Sequence, residues 1–149
     1  METGRLPNEL SASSRFGFPE VRHLLRVQIV ILNYNGVDLL PRCLPSIVEA
    51  AQKASYPVQV TVLDNRSQDQ GLNWVKTHFP SVQVVVSEKN RFLVSFNDYL
   101  RTVDDEIVIL LNNDIRVDPN FVDPLVKIFE NNPDAFLASP QCFDFEGKY

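Results

Sequence analysis

Four short apolar runs recur along the chain and constrain its fold more than any other feature. They are VQIVIL at 27–32, VQVTVL at 58–63, VQVVV at 82–86 and EIVILL at 106–111. The last run has no polar alternation, so both of its faces should be covered, as in a parallel sheet packed between helices. A weaker run, AFLAS at 135–139, predicts a fifth strand.

The segments between the runs predict helices. Apolar residues recur at helical spacing at 39–54, 69–78 and 119–132. In the last segment Asp118 is the predicted N-cap, directly before Pro119. Alternating strands and helices favour an α/β fold with an open, mainly parallel sheet and helices on both faces. We expect this sheet to be truncated after its fifth strand.

The composition fits one globular domain. With 149 residues, 44% of them hydrophobic, the chain is long enough to bury a core of its own. Residues 1–25 mix serine, glycine, proline and isolated apolar residues without a period, which predicts a loosely ordered leader. The predicted folded domain is therefore 26–149.

The net charge disfavours one class of partner, nucleic acid. A charge of -5 at pH 7 disfavours nucleic acid, because phosphate binding needs a concentrated basic surface. Arg22, His23 and Arg26 form the one local basic cluster, which fits either a solvated terminus or a contact with anionic lipid. No apolar run approaches the length of about 18 residues that would span a bilayer. We expect a cytoplasmic protein, with peripheral attachment to the inner face of the membrane as the alternative.

Polar residues follow three of the four runs, at the point where each predicted strand ends. They are Asn33, Tyr34, Asn35 and Gly36 after the first run, Asp64, Asn65, Arg66 and Ser67 after the second, and Asn112, Asn113 and Asp114 after the fourth. The carboxyl ends of parallel strands meet at one edge of an open sheet, which is where such sheets bind ligands. We therefore expect these residues to lie together.

The chain lacks the glycine-rich loops that bind nucleotides in many α/β proteins. It has neither GxGxxG nor GxxxxGK[ST], and only five glycines in all. Phosphate charge would then be neutralised by a divalent cation on a carboxylate, a role that suits Asp114 and an ion such as Mg²⁺ or Mn²⁺. Two alternatives remain open: NNDI could be a turn that stops the strand, and DNRS a helix cap.

Three motifs together resemble family-two inverting glycosyltransferases with the GT-A fold. They are VQIVILNYNG, VTVLDNRSQD and EIVILLNNDIRVDPNFVDPLVKIF, in this order and with the spacing of the family. The resemblance runs from about Val27 to Tyr149 and covers the half of those enzymes that binds the nucleotide sugar. It implies a Rossmann-like α/β sheet and a transferase that acts in polysaccharide biosynthesis.

The resemblance also implies roles for individual residues. Asp64 would accept a hydrogen bond from the imide N–H of uracil or thymine. Asp114, the last residue of the DxD-like NND motif, would bind Mn²⁺ or Mg²⁺ together with Asn112, and the metal would stabilise the departing nucleoside diphosphate. The residues implied for nucleotide-sugar binding are Leu32, Asn33, Tyr34, Asp64, Asn65, Arg91 and Asn113. The implied donor is a UDP- or dTDP-sugar, and the implied acceptor is a glycan or a lipid-linked sugar.

The sequence departs from the family pattern in two places. The family often has NxGFxxxxNxG before the fourth strand, whereas this chain has KNRFLVSFNDYL, with Arg91 and Tyr99 where glycines are usual. The loop there should differ in shape, and Arg91 could reach a phosphate. The family also places its catalytic base after the fifth strand, beyond the final FEGKY of this chain. No catalytic residue is therefore predicted.

Two hypotheses follow. In the first, the chain is the donor-binding domain of a glycosyltransferase whose acceptor half lies in a longer chain or a partner subunit. In the second, it is a non-catalytic module that binds nucleotide sugars or other proteins, as a homodimer or with a partner subunit, because a truncated sheet leaves apolar surface near 135–139. A sugar-nucleotide pyrophosphorylase is disfavoured, because NYNGVDLL lacks the basic, glycine-rich loop of that class.

Overall fold

Strands and helices alternate strictly along the chain in the computed structural model, which describes residues 25–144 and 146–148. The four strands are β1 Val27–Asn33, β2 Val58–Asp64, β3 Gln83–Val86 and β4 Ile107–Asn112. The four helices are α1 Leu40–Lys53, α2 Gly71–His78, α3 Val94–Leu100 and α4 Val122–Asn131. The predicted leader lies outside the described residues, apart from Leu25.

The strands form one parallel sheet in the order β3-β2-β1-β4. The register aligns Asn33 at the end of β1 with Asp64 at the end of β2. On the other side of β1, Leu32 pairs with Asn112 at the end of β4. The open parallel sheet predicted from the sequence is confirmed, and the three polar strand ends lie side by side.

Helices lie on both faces of the sheet, but they leave one face of β4 partly open, where Leu110 is 42% exposed, so the expectation that both faces of this strand are covered is wrong. On one face α1, α2 and α4 pack on a large core that includes Ile29, Ile31 and Val62, each at most 1% exposed. On the other face α3 places Phe96 against Val30 and Leu63. Each such aliphatic side chain contributes about 1.5–3 kcal/mol through its burial. The sheet is therefore a rigid support for whatever binds at its edge.

The predicted fifth strand is wrong. Residues 135–139 form no strand, and the described part of the chain has a sheet of four strands that ends at β4. Phe136 and Leu137 are 96% and 80% exposed, and within the run it is Ala138 that packs against the large core. Pro133 and Pro140 flank the run, and proline cannot donate to a sheet ladder.

One helix is not predicted by the sequence, and another begins later than predicted. Helix α3 has only seven residues and lies where the sequence predicts a loop. Helix α4 begins at Val122 rather than next to Asp118. Asp118 instead closes a turn, in which its side chain accepts a hydrogen bond from the backbone N–H of Asn120 at 2.8 Å.

None of the helices in the described part of the chain has the length and the apolar composition that a membrane span needs.

Candidate functional site

Asn33 lies at the centre of the polar edge of the sheet and joins the ends of three strands. Its Nδ2 donates a hydrogen bond to Asp64 Oδ1 at 2.8 Å. Its Oδ1 accepts a hydrogen bond from Asn113 Nδ2, also at 2.8 Å. Because Asn33 is fully buried, these bonds stabilise an amide that would otherwise be costly to bury. The predicted convergence of the first, second and fourth strand ends is thus a direct hydrogen-bonded network.

Asp64 is a buried carboxylate held by the loop that follows it. Besides Asn33, it accepts hydrogen bonds from the backbone N–H of Ser67 at 2.8 Å and from Ser67 Oγ at 2.5 Å. Ser67 Oγ in turn accepts a hydrogen bond from the backbone N–H of Asn35 at 2.8 Å. Three donors satisfy a carboxylate that is only 1% exposed, as a buried charge requires.

Asn65 carries a buried oxygen without a partner. Its Nδ2 donates to the backbone carbonyl of Phe92 at 3.1 Å, and since a carbonyl can only accept, this bond fixes which way the amide points. Its Oδ1 is buried, with no hydrogen-bond partner. Leaving such an acceptor unpaired costs about 1–3 kcal/mol. A ligand N–H that reaches this oxygen would recover that cost.

The loops after β1 and β2 are fastened to each other. Asp69 accepts hydrogen bonds from the backbone N–H of Val37 at 2.9 Å and of Gly71 at 3.0 Å. Asn35 lies in the left-handed region at φ 49°, and its Oδ1 accepts a hydrogen bond from the backbone N–H of Gln68 at 2.9 Å. Asparagine tolerates that conformation better than most residues. These contacts fix both loops at the edge of the sheet.

The Arg91 side chain contacts α3 and makes no described hydrogen bond to the strand-end residues. It forms an ion pair with Asp98 at 2.7 Å and lines a cavity of about 740 Å³ beside α3 and β3. The cavity lining also includes Lys89 and Arg101. The strand-end residues Asn33, Asp64 and Asn113 do not line this cavity. The cavity is therefore distinct from the candidate site, which we place at the edge of the sheet.

The residues predicted to bind a metal lie at the exposed tip of β4. Asn112 and Asp114 are both exposed, on either side of the half-buried Asn113. Within residues 25–144 and 146–148 no group of three or more histidine, cysteine, aspartate or glutamate side chains could hold a metal. One carboxylate and one amide oxygen still fit Mg²⁺ or Mn²⁺, because these ions take several ligands from water and phosphate. The donor set is thus compatible with a metal that a diphosphate helps to hold.

The remaining predicted residues flank the network. Tyr34 is 51% exposed directly after the buried Asn33. Leu32 is half-buried against the cluster that Phe96 forms with Val30 and Leu63. Two contributors were not predicted as site residues: Ser67, which bonds Asp64, and Gly36, which packs against Asn33 and Asn113. Their position after the strand ends was the available signal, but no sequence pattern reveals such close packing.

Comparisons with known proteins indicate the family to which the chain belongs and the structures that share its fold. The sequence profile of the family described as glycosyl transferase family 2 matches residues 28–149. A search among curated proteins finds no significant match.

Solved structures with a similar fold include a mannosyltransferase and S. aureus TarS. The mannosyltransferase PcManGT from Pyrobaculum calidifontis, in complex with GDP-Man and Mn²⁺, superposes with a TM-score of 0.58 at 24% identity. That match covers 72% of this chain and 33% of the other. S. aureus TarS 1-349 in complex with UDP gives a TM-score of 0.60 at 19% identity, over 78% of this chain and 38% of the other. At these identities the likeness shows the fold.

The matches cover 33% of PcManGT and 38% of TarS 1-349, so this chain spans about a third of the length of those structures. The family match covers more of the chain itself, because it includes the four helices, every strand-end motif and the four strands apart from Val27. On that match, the chain belongs to glycosyl transferase family 2.

Proposed function

We propose that the chain is the donor-binding domain of a glycosyltransferase and binds a nucleotide-diphospho-sugar at the carboxyl edge of its sheet. The observation that carries the proposal is the hydrogen-bonded set Asn113–Asn33–Asp64, which joins the second and fourth strand ends through the first. An open α/β sheet binds ligands at this edge. PcManGT with GDP-Man and TarS with UDP-GlcNAc, which share the fold, support a donor of this class.

The diphosphate and the nucleoside of the donor would lie at the ends of different strands. Asp114 and Asn112 would hold Mn²⁺ or Mg²⁺ at the tip of β4, and the metal would neutralise the diphosphate and stabilise it as a leaving group. The exposed ring of Tyr34 and the half-buried Leu32 would flank the nucleoside. A metal is needed here because the site has no glycine-rich loop to surround phosphates with backbone N–H groups.

Two side chains are candidates to read the base. Asp64 remains the residue predicted to accept the imide N–H, although its oxygens already accept three hydrogen bonds. Asn65 Oδ1 is an acceptor with no partner, which favours it for the same role. Either residue would prefer uracil, thymine or guanine, which have a ring N–H, over cytosine, which lacks one. Because Asn65 Oδ1 is closed off from solvent, a base would reach it only after the atoms that cover it move.

Transfer itself needs a general base that takes the proton from the acceptor hydroxyl. We assign no residue of the described chain to that role. The base, together with the site for an acceptor glycan or lipid-linked sugar, would come from a longer chain or a partner subunit. The activity proposed for this chain alone is therefore donor binding.

The proposal predicts metal-dependent binding of nucleoside diphosphates. In titration calorimetry with the full chain, we expect UDP, dTDP or GDP to bind more tightly with Mn²⁺ than with EDTA, and CDP to bind least. Asp114→Asn should weaken binding in Mn²⁺ by about 10- to 100-fold, since even the outer partners of metal ligands have effects of this size. Binding in EDTA should stay unchanged.

Asp118→Asn is the matched control, because it changes an exposed carboxylate four residues away to a side chain that can still cap the same turn. It should bind like the native chain. The proposed function fails if none of the four diphosphates binds in either condition. The assignment of the metal to Asp114 fails if Asp114→Asn keeps the full Mn²⁺ effect.

A further inference from the structure

The polar atoms of the Asn33 side chain are all engaged by protein. Nδ2 donates to Asp64 Oδ1 at 2.8 Å and to Ser67 Oγ at 3.2 Å, and Oδ1 accepts from Asn113 Nδ2 at 2.8 Å. The residue has no exposed surface. A side chain that is fully buried and fully bonded cannot contact a donor without breaking the network. Its effect on a ligand must therefore pass through its three neighbours.

Gly36 leaves the space in which the bond between Asn33 and Asn113 forms. A Cβ atom at position 36 would lie 2.1 Å from Asn33 Oδ1 and 2.5 Å from Asn113 Nδ2. Both distances are far shorter than any contact that carbon makes with oxygen or nitrogen. Since the atoms in the way are the two partners of one hydrogen bond, a larger residue here would push them apart. Glycine is therefore required by close approach.

The turn after β4 has few other supports. Within the described residues, the bond to Asn33 is the one side-chain hydrogen bond made by residues 112–114. Directly after the turn, Ile115 packs against the large core, and the backbone N–H of Val117 donates to Ser46 Oγ at 3.2 Å. Within the described sheet, β4 is an edge strand that pairs with β1. The bond between Asn33 and Asn113 is thus the side-chain hydrogen bond that sets the turn, and with it Asp114, relative to β1 and β2.

We propose that Asn33 is a positioning residue, which holds the turn of Asn113 and Asp114 in register with the nucleoside side of the site, and that Gly36 makes this possible. The inference rests on the proposed function. One donor molecule would contact both a metal on Asp114 and the residues that hold the base at β2, so the distance between them must lie within the reach of its ribose and diphosphate. At a reacting centre, a displacement of about 1 Å can cost about 100-fold in rate.

Gly36→Ala tests the proposal by separating the two partners. We would titrate the full chain with UDP in Mn²⁺, with UDP in EDTA, and with uridine. Affinity for UDP in Mn²⁺ should fall about 10- to 100-fold, as for other residues that orient a metal site. Binding of uridine and of UDP in EDTA should change less than about threefold, because neither needs the turn and because Asn65 Oδ1, the favoured acceptor for the base, has no bond to Asn33. Val75→Ala, a core change in α2, controls for a general loss of stability and should spare both kinds of binding.

Asn33→Asp gives a second readout that a merely structural residue would not produce. The introduced carboxyl would face Asp64, the titratable side chain that Asn33 contacts, and two adjacent buried carboxyls share one proton with a raised pKa. At pH 8 the variant should bind UDP in Mn²⁺ poorly. As the pH falls to 5.5, the shared proton replaces the lost N–H donor, and affinity should recover about tenfold relative to the native chain at the same pH.

The outcomes separate the two proposals. If the native chain binds UDP and both variants bind it in Mn²⁺ as the native chain does, the positioning role is overturned and the proposed function stands. An equal loss in Mn²⁺, in EDTA and with uridine, without recovery at low pH, also overturns it. If the native chain binds no nucleoside diphosphate, the proposed function falls and the positioning role falls with it. If Gly36→Ala does not fold, the pH profile of Asn33→Asp decides, since that variant is isosteric with the native residue when protonated.

Discussion

The buried polar side chains at the edge of the sheet form hydrogen bonds with protein atoms rather than with solvent. Asn33, Asp64 and Asn65 are at most 2% exposed, although amides and carboxylates are expensive to bury. The cost is offset wherever a partner is present, and it remains at Asn65 Oδ1. Unpaired buried acceptors are uncommon in folded proteins and call for an explanation. Here the explanation that we favour is a ligand.

Phe92 gives a residue-scale prediction about stability. It lies at φ 53° with a side chain that is 77% exposed, so it bears left-handed strain and gains little from burial. Phe92→Gly should raise the free energy of unfolding by about 1 kcal/mol, because glycine adopts this conformation without steric cost. The backbone carbonyl that holds Asn65 is retained. The measurement is the urea midpoint at constant slope.

Leu93→Gly is the matched control for this prediction. Leu93 is next in sequence and 64% exposed, but it has φ -61°, where an L-residue is unstrained. Glycine should therefore lower the free energy of unfolding there by about 0.5–1 kcal/mol. If both variants shift the urea midpoint in the same direction, strain at Phe92 is not the cause.

The sequence predicted that the polar strand ends lie together, but it did not predict the hydrogen bonds among them. The resemblance to the family implied that Asn33, Asp64 and Asn113 contact the nucleotide sugar. In the structure these three bond one another, since the register places them on adjacent strands. Such register depends on pairing between strands that are distant in sequence. The role of Gly36 depends on the same pairing, and so it was also missed.

At the scale of elements, long apolar runs were the most predictable feature. All four runs form strands, and α1, α2 and α4 lie where apolar periodicity predicted helices. The structure of two short segments was not predicted, because whether each forms a strand or a helix depends on residues that are distant in sequence. In the described sheet the run at 135–139 pairs with neither edge strand, β3 or β4, and α3 is a single short helix that depends on packing Phe96 against Val30 and Leu63. Neither outcome can be inferred from the local sequence.

An ion pair fastens the beginnings of β1 and β4 and predicts a pH dependence. Glu106 accepts hydrogen bonds from the backbone N–H of Arg26 at 2.9 Å and from its Nε at 3.4 Å. The backbone donor is the main reason that the pKa of Glu106 lies below its ordinary value. A carboxyl whose pKa is lower in the folded state stabilises the fold above its unfolded pKa. That stabilisation is lost as the pH falls through the folded pKa.

Glu106→Gln should therefore lower the free energy of unfolding at pH 7, by an amount that shrinks as the pH falls below about 4.3, the ordinary pKa of glutamate. Urea unfolding of the native chain and the variant at pH 7 and pH 3.5 measures the difference. Glu88→Gln, a change at an exposed glutamate, is the control. A deficit that is as large at pH 3.5 as at pH 7 would show that shape, rather than charge, matters at position 106.

At the scale of the whole molecule, ligand binding and folding are linked, and the two cysteines report on that linkage. Cys142 is exposed, whereas Cys43 in α1 is 1% exposed, and burial is the main reason that the pKa of its thiol is raised. Only a thiolate reacts quickly with alkylating reagents. Cys142 should be labelled at once, and Cys43 only when the fold opens, about 1000-fold or more slowly for a domain of ordinary stability.

A ligand that binds only the folded chain should slow the labelling of Cys43 further. UDP with Mn²⁺ at 100 times its dissociation constant adds about 2.7 kcal/mol to the free energy of global opening, which is a roughly 100-fold decrease in rate. Mass spectrometry of the peptide that contains Cys43, in Cys142→Ser to leave one thiol, measures this rate with and without the ligand. Asp114→Asn should show a much smaller decrease. Rapid labelling of Cys43 in the free chain would contradict its burial, and equal rates with and without UDP and Mn²⁺ would mean that opening at α1 is local and independent of the edge of the sheet.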